Sequence, residues 1–559
     1  MASAKKKDND IVFLPLGGVG EIGMNLGLYG YGPEDDRTWL IVDCGVSFAG
    51  PELPGIDLVV PDIKFLEDEV DNIAGMVITH AHEDHYGGIL HLWPYLKVPV
   101  YATAFTAGLL AAKTESEPGA EEVPVTLVKQ GDRVKIGPFD VEFVAMAHSI
   151  PEPCALAIRT PAGMVLHTGD WKIDPTPGVG LPIDMDRLAE LGREGVMALV
   201  CDSTNAVRDG VSPSEAEVAE ELKKVMAKAK HRIAVTTFAS NVARIRAIAE
   251  AAAANDRDVV VVGRSMHRVI EVAGELGYLE GLKPFHEEEA FGYLPREKAV
   301  LLCTGSQGEN RAALARIAAG DHRNIALAKG DMVIFSSRTI PGNEKAVGEV
   351  LNNLAEKDVE IVTDRDALVH VSGHPRRGEL EQLYKLLQPK VVLPVHGEPL
   401  HLAAHAAFAK AQGVPEVVRG KNGNIIRLSA GRAGIIDEAP SGILVKDGEI
   451  LDDPEVTGVK ERRKLSFAGA AVIALVVNRA GDLLDDPNVV LLGLPDTDDD
   501  GEPMEDIVVK AVRGAVKSIP KGRRKDKDLV GEAARKAARA EILEVWGKKT
   551  LCKVVVTQL

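Results

Sequence analysis

Residues 77–88 read VITHAHEDHYGG. His80, His82 and His85, three of the chain's fifteen histidines, fall within six residues, with Asp84 among them. The preceding AGMVIT has the apolar, β-branched character of a buried strand, so the cluster sits on the loop at that strand's C-terminal end. In an extended backbone alternate side chains share a face, so His80 and His82 can point one way. Asp84 and His85 can then turn toward a neighbouring point. Neutral imidazole and carboxylate are zinc ligands. Four such groups crowded together without a cation would only cost desolvation energy. One loop cannot complete two coordination spheres, and later strands offer more candidates. His148 ends VEFVAMAH, Asp170 ends MVLHTGD and His396 ends VVLPVH. Each follows a short apolar run, the place where an open α/β sheet presents ligands.

Around this cluster, Ile11–Leu16, Trp39–Val42, Met76–Thr79, Val141–Ala145 and Met164–His167 are brief β-rich runs bounded by Gly, Pro or Asp. From about Pro213 the texture changes. A helix over Ser214–Lys230 opens with Ser-Pro-Ser-Glu. The strand Ile233–Phe238, the Ala-rich helix Val242–Ala254, the strand Val259–Val262 and a helix from His267 follow. The alternation continues through the strands Ala299–Cys303, Met332–Phe335 and Glu360–Val362, which predicts a second α/β domain on a parallel sheet. Val391–Val395 and the turn-rich stretch to about 448 resemble the first region again, so the second domain is expected as an insertion. Residues 482–506 hold ten acidic residues and no basic one, and 507–559 hold fourteen basic and five acidic ones. That split, with the terminal strand Lys553–Thr557, predicts a small separate domain whose charges form a solvated dipolar surface or a contact.

The chain has 559 residues, 45% hydrophobic and 26% charged, enough for three or four domains of ordinary soluble composition. No run approaches the roughly 18 apolar residues of a membrane span. The N-terminal MASAKKKDND has no apolar core behind its lysines, and Lys5–Lys7 reads as a solvated tail. Five scattered cysteines, with no C-x-x-C pair, suit a reducing cytoplasm. The net charge of −18 does not itself favour a polyanion, so a nucleic-acid function needs a metal site or local cations lining a groove, such as Arg244, Arg264 or Arg338. Gly18 to Gly23 fits G-x-G-x-x-G, but the glycine-broken, strand-like run after it lacks the helix a dinucleotide site requires. It reads as a tight hairpin beside the metal site. His91, His167, His231, His267, His286, His322, His401 and His405 read as surface or satisfied core histidines.

H-x-H-x-D-H, followed by a lone His, an Asp and a late His, resembles the metallo-β-lactamase superfamily. The resemblance implies an α/β fold, an αββα sandwich with a dinuclear zinc site. By that resemblance His80, His82 and His148 hold one zinc, Asp84, His85 and His396 the other, and Asp170 bridges them; Asp84 also counts among the catalytic residues. Asp43 matches an early aspartate that supports the site. Asp202 in Cys-Asp-Ser-Thr-Asn, His374 in HVSGH and His396 in PVHGE resemble the further motifs of the β-CASP nucleases. With LGGVGEIGMN at 16–25, the pattern resembles the bacterial ribonuclease J family. The implied organisation is residues 1–214 and 375–448 as the two parts of the metallo-β-lactamase domain, 215–374 as the β-CASP domain, 449–465 as a linker and 466–559 as a small C-terminal α/β domain.

The resemblance implies a zinc-dependent ribonuclease with two Zn²⁺ per subunit, with Mg²⁺ or Mn²⁺ as replacement or supplement. A hydroxide shared by the metals would attack phosphorus, leaving a 5′-phosphate and a 3′-hydroxyl. His374 would act as general acid or as a donor to the phosphate. Asp202 would orient a ligand histidine, or merely cap the turn before Ser203. Phe238, Ala239 and Ser240, Ser336 and Ser337, and His370, Val371, Ser372, Gly373 and His374 would form a pocket for the RNA 5′-monophosphate. That pocket makes the enzyme a 5′→3′ exonuclease of RNA processing and decay, with endonuclease activity besides. Partners implied are the RNA substrate, a second copy or three in a homodimer or homotetramer through the C-terminal domain, and degradation partners such as a helicase, with no membrane. Two other classes stay open: a hydrolase of a small ester, thioester or lactone, which would not need the insertion, and a non-catalytic RNA-binding scaffold, which would be expected to lose ligands.

Overall fold

The β-rich runs of the first 210 residues become the strands of two facing sheets. The computed structural model describes residues 9–340 and 342–559, and the Lys5–Lys7 tail lies outside them. One compact unit contains Val60–Ile443 and the segment ending at Ser47; a second contains Phe48–Val59 and Leu444–Leu559.

In the first unit an eight-stranded sheet runs in the order Gly434–Glu438, Asn424–Arg427, Asp10–Gly17, Leu26–Gly32, Thr38–Val42, Ile73–Val77, Val100–Ala102, Val125–Leu127. A seven-stranded sheet runs Glu416–Val417, Val391–Val395, Val196–Asp202, Gly163–His167, Cys154–Thr160, Phe139–Ala145, Arg133–Ile136. Phe13, Tyr29, Leu40 and Val77 of the first share one core with Phe143, Leu156, Val165, Val200 and Leu393 of the second. Each such side chain, fully buried, contributes roughly 1.5–3 kcal/mol. Helices Met185–Glu194 and Arg377–Leu387 cover the outer face of the second sheet through Leu188, Leu191, Leu380 and Leu383. The architecture is the metallo-β-lactamase αββα sandwich.

The chain leaves this sandwich after Val196–Asp202 and returns in the neighbouring parallel strand, Val391–Val395, with Asp202 opposite Val395. Between them lies a five-stranded parallel sheet in the order Asp258–Val262, Ala299–Cys303, Ile233–Thr236, Met332–Phe335, Glu360–Val362. Its first helix, Glu215–Lys228, is started by a capping box between Ser214 and Glu217. The helix expected from His267 begins at Arg264, because Gly263, at φ +121°, turns the chain directly out of the strand. The strand expected over Met76–Thr79 stops at Val77, because the Thr79 N–H is taken by Asp43 Oδ1 at 2.7 Å.

The second unit has a three-stranded sheet, Asn488–Leu492, Ala470–Val477, Leu551–Gln558, backed by helices Met504–Ser518 and Lys527–Trp546. Ile473, Leu475, Val512, Val516, Ala534 and Ile542 form its core. Residues 449–465, read as a linker, instead carry the strand Ile450–Asp452 and most of the helix Val459–Ala468. Arg462 pairs with Asp447, and the Asp57 N–H donates to Lys446 O at 2.9 Å, which draws Phe48–Val59 into this unit rather than the sandwich. The acidic stretch is partly neutralised within its own domain: Asp486 meets Arg513 at 2.7 Å and Asp482 meets Arg524 at 2.9 Å. Among the described residues no helix is long and apolar enough to cross a membrane.

Candidate metal centre

The C-terminal ends of the sandwich strands deliver the cluster. Asp43 follows Thr38–Val42, His80 follows Ile73–Val77, and His82 precedes the short helix Glu83–Tyr86 that carries Asp84 and His85. His148 follows Phe139–Ala145, Asp170 follows Gly163–His167, and His396 follows Val391–Val395. Asp43 and His396 both have left-handed backbone, at φ +65° and +50°. Such residues cost about 1–3 kcal/mol and persist only where neighbours over-determine them. Here the Asp43 N–H is held by Val77 O at 2.9 Å and the His396 N–H by Gly18 O at 2.8 Å. At Gly45 a Cβ would stand 1.8 Å from Asp84 O, so only glycine lets the Asp43 turn pass the Asp84 loop.

Three overlapping donor sets result, the third being Asp170, Asp202, His374 and His396. His80, His82, His148 and Asp170 each offer a ligand atom within 4.8 Å of the others, and so do Asp84, His85, Asp170 and His396. In a tetrahedral zinc site with bonds near 2.1 Å the ligand atoms stand roughly 3.4 Å apart. His82 Nδ1 lies 3.1 Å from His80 Nε2 and 3.0 Å from His148 Nε2. Asp170 Oδ2 is 3.3 Å from His85 Nε2, 3.5 Å from His396 Nε2, 3.6 Å from His148 Nε2 and 3.8 Å from His80 Nε2. Its buried Oδ1 has no hydrogen-bond partner among the described residues. A carboxylate buried in this way is under-bonded unless a cation meets it. The donor sets therefore fit bound metal, with Asp170 common to all of them.

The outward ring atoms fix the tautomers. Thr79 Oγ1 donates to Asp43 Oδ2 at 2.9 Å and so accepts from His80 Nδ1 at 3.0 Å. His85 Nδ1 donates to Asp43 Oδ2 at 2.7 Å, His148 Nδ1 to Gly373 O at 2.7 Å, and His396 Nδ1 to Asn25 Oδ1 at 3.0 Å. With Nδ1 committed outward, each of these four rings presents Nε2 to the interior, which is how metal-binding histidines are oriented. Burial holds His80 and His148 well below the ordinary imidazole range and His82 at about 4, so these three are in the neutral, ligand form. Burial also opposes charge on His85, but Asp170, Asp84 and Asp43 outweigh it and raise its pKa, and the same negative charge favours a cation.

His374 stands at the edge of this cluster. Its Nδ1 donates to Asp202 Oδ2 at 2.8 Å and lies 3.8 Å from Asp170 Oδ2. Burial lowers its pKa, but Asp202 and Asp170 more than offset this and lift it to about 9. Asp202, expected to orient a ligand histidine, orients His374 instead, because the HVSGH loop reaches it first. Its other oxygen caps the turn, accepting from Thr204 N at 2.8 Å.

The pocket residues divide. Phe238, Ala239 and Ser240 are half-buried at a strand end, and the helix there is capped by Asn241, not Ser240. Ser337 is buried, and Ser372 Oγ accepts from Asn205 Nδ2 at 2.8 Å. The Ser336 hydroxyl departs from the expected role: it donates to Val369 O at 2.7 Å and accepts from Arg244 at 2.6 Å, so its proton is committed inside the protein. Arg244 is no groove cation, since it is wholly buried, whereas Arg264 and Arg338 are exposed. His370 is held by burial, and then by Arg244, well below the ordinary range.

Two residues of the site were not singled out in the sequence. Asn25 holds His396 through Oδ1 and the Asp84 carbonyl through Nδ2 at 3.0 Å. Thr79 links Asp43 to His80. Adjacency to the histidine loop was the only signal for Thr79. Asn25 lay within the quoted glycine motif, whose loop proves to brace His396: Gly20 N donates to Gly397 O at 3.0 Å, and a strand, not a helix, follows. His167 pairs with the Tyr29 hydroxyl at 2.9 Å, and His405 sits between Ser203 Oγ and Tyr384 Oη at 2.8 and 2.5 Å, both satisfied core histidines.

Comparison with known proteins agrees along the whole chain. Residues 38–204 match the beta-lactamase superfamily domain, 230–354 the ribonuclease J beta-CASP domain, 358–418 the Zn-dependent metallo-hydrolase RNA specificity domain and 457–559 the ribonuclease J C-terminal domain. The sequence is 56% identical over 553 residues to Ribonuclease J of Sinorhizobium meliloti, covering 99% of this chain and 98% of that one. It is 42% identical to Ribonuclease J of Corynebacterium glutamicum, covering 88% of this chain and 68% of that one. A crystal structure of a protein of unknown function from Enterococcus faecalis V583 shares the fold, with a TM-score of 0.52 at 18% identity, covering 75% of this chain and 100% of that one.

Proposed function

The chain belongs to the ribonuclease J family of metal-dependent ribonucleases, and on that premise we propose that it is a zinc enzyme degrading RNA from 5′-monophosphorylated ends in the 5′→3′ direction, with internal cleavage as a second mode. The observation that carries this reading is one hydrogen bond. His148 Nδ1 donates to the carbonyl of Gly373 at 2.7 Å, so a proposed metal ligand and the HVSGH loop of the proposed phosphate pocket are held as one piece. A Cβ on Gly373 would meet the His148 ring at 2.5 Å.

Two Zn²⁺ ions would be held by His80, His82 and His148 and by Asp84, His85 and His396, with Asp170 between them. Bound there, they supply Lewis acidity toward a phosphate and lower the pKa of water to about 7. The protein's own groups do the rest. Ser337, Ser240, Ser372 and the backbone N–H groups at 371–373 offer neutral donors to a terminal phosphate dianion. Water adds to phosphorus as the bond to the 3′-oxygen breaks. His374, its Nδ1 fixed by Asp202, gives the proton at Nε2 to that leaving oxygen. The downstream RNA keeps the phosphate, so every cut regenerates a 5′-monophosphate for the next. A 5′-triphosphate is too bulky and too charged for such a pocket.

All five cysteines are free and buried, which suits a cytoplasmic protein. The outward face of the C-terminal sheet exposes Val472, Val490, Leu492 and Val555, which supports assembly as a homodimer or homotetramer through that domain. A helicase-type partner belongs to the same reading.

The test is degradation of one 3′-labelled RNA carrying a 5′-monophosphate, 5′-triphosphate or 5′-hydroxyl, with wild type beside His80→Ala. Rapid loss of the monophosphate form alone, abolished by the substitution, is expected. Equal internal cutting of all three forms would remove the pocket and leave the nuclease.

A further inference from the structure

We propose that Arg244 is a positioning residue that clamps the two halves of the 5′-phosphate pocket together and, through Glu215, sets their distance from the metal centre. The proposal rests on the pocket reading above.

Arg244 lies in the first turn of helix Val242–Ala254 and is wholly buried. One arm of its guanidinium bridges two loops: Nη1 donates to Ser336 Oγ at 2.6 Å, to Ser336 O at 3.2 Å and to Val369 O at 3.0 Å. Ser336 Oγ closes the triangle by donating to Val369 O at 2.7 Å. The loop after Met332–Phe335 and the loop that carries HVSGH are therefore joined behind the pocket, by groups that face away from any ligand. His370 follows directly on Val369, and its buried Nδ1 has no partner among the described residues. A buried ring nitrogen left so is costly unless a ligand meets it.

The other edge of the guanidinium faces the sandwich. Arg244 Nη2 and Nε reach Glu215 Oε2 at 2.9 and 3.2 Å. The Glu215 N–H donates to Asp174 Oδ2 at 2.9 Å, and Lys172 Nζ lies 2.7 Å from the same oxygen. Lys172 stands two residues beyond Asp170. A chain of buried charge thus runs from Lys172 and Asp174 through Glu215 and Arg244 to the pocket loops, and the backbone between Asp170 and Lys172 ties it to the shared metal ligand. A hydrophobic junction would be as stable or more so, whereas a planar fork with fixed donors imposes one geometry. In the proposed cycle that geometry places the first phosphodiester, counted from the bound 5′-phosphate, at the metals.

The experiment compares full-length wild type, Arg244→Lys and Glu215→Gln, each shown to be folded by its melting transition and zinc content. The substrates are a 5′-monophosphorylated RNA, its 5′-hydroxyl form and a circular RNA that has no end. Lysine keeps the charge but cannot bridge both loops and Glu215 at once. The ratio of kcat/KM on monophosphorylated to circular RNA is expected to fall at least about tenfold in Arg244→Lys, what one charge-assisted hydrogen bond is worth. The loss should lie mainly in KM, and Glu215→Gln should move the ratio in the same direction by less. An unchanged ratio, with both substrates affected alike or not at all, overturns the clamp. A wild type that does not prefer the monophosphate overturns the pocket reading, and the clamp with it, before any variant is measured.

Discussion

In the sandwich, strand ends carry imidazoles and carboxylates whose outward atoms are bonded to protein and whose inward atoms converge on one another. In the inserted sheet, strand ends carry serines and tight turns, and a strong charge behind them, Arg244, is turned away and fully paired. The difference follows from what each region would bind. A cation needs converging lone pairs and negative charge, so the protein concentrates Asp84, Asp170 and neutral histidines there. A phosphate dianion is held well by neutral N–H and O–H dipoles, and a buried cation serves by shaping the loops that present them.

The largest expected effect would break the comparison if it failed. Asp170→Ala should abolish cleavage of monophosphorylated and circular RNA together, with bound zinc dropping below two per chain by elemental analysis. Survival of circular-RNA cleavage would mean that the donor sets work without their shared carboxylate.

His374→Ala belongs to both regions and sharpens the boundary between them. As general acid it should cost about 10²- to 10⁴-fold in kcat, with zinc content unchanged. A substrate with sulfur in place of the 3′-oxygen needs no proton on departure, so it should recover most of that loss. Without such recovery the His374–Asp202 pair is a phosphate-binding feature of the pocket.

Asn25→Ala and Thr79→Val test the outward bonds. Each should cost roughly 10- to 100-fold in metal affinity or activity, as for other partners that orient ligands. Excess zinc should restore much of the activity, since no ligand atom is lost. Titration with a zinc chelator, read by residual cleavage, measures this directly.

The same contrast explains what was legible in the sequence. Histidine and aspartate are few enough, and strand ends conspicuous enough, that all seven proposed ligands could be named from VITHAHEDHYGG and three later strands. The insertion was visible as a change from short strands to strand–helix alternation. The bonds that orient the ligands were not: Asn25 and His396 are 371 residues apart, and Asp202 and His374 are 172 apart. Arg244 was misread as a groove cation because an arginine on an alanine-rich helix looks the same whether the helix is half-exposed or, as here, buried on nearly every side. The strand and helix within 449–465 were hidden by a polar, turn-rich sequence, whose strand pairs with Ile443–Asp447 and whose helix meets Pro54, far away in the chain, through Arg462.

The smallest effect concerns a cluster that resembles the metal centre in charge density and differs from it in exposure. Glu142 meets Arg187 at 2.6 Å and Arg159 at 2.8 Å, and Glu194 pairs with both arginines. Burial pushes the Glu142 carboxyl up, but the two arginines outweigh it and hold it below the ordinary range. The sign follows from the unfolded chain, where a glutamate titrates near 4.3. The stabilisation from ionised Glu142 is whole above that pH and is lost as pH falls through the lower folded value. Glu142, itself buried, sits between two partly exposed arginines, so Glu142→Gln should lower stability by about 1–3 kcal/mol at neutral pH, the range for hydrogen bonds to charged groups. The gap between variant and wild type in thermal or urea unfolding should close as pH drops below about 4. Cleavage per folded molecule should not change. Here the carboxylates and every guanidinium nitrogen but Arg159 Nη1 have protein partners, and none converges on an open point, so a loss of activity in this variant would show that charge density alone, rather than converging inward atoms, marks the centre.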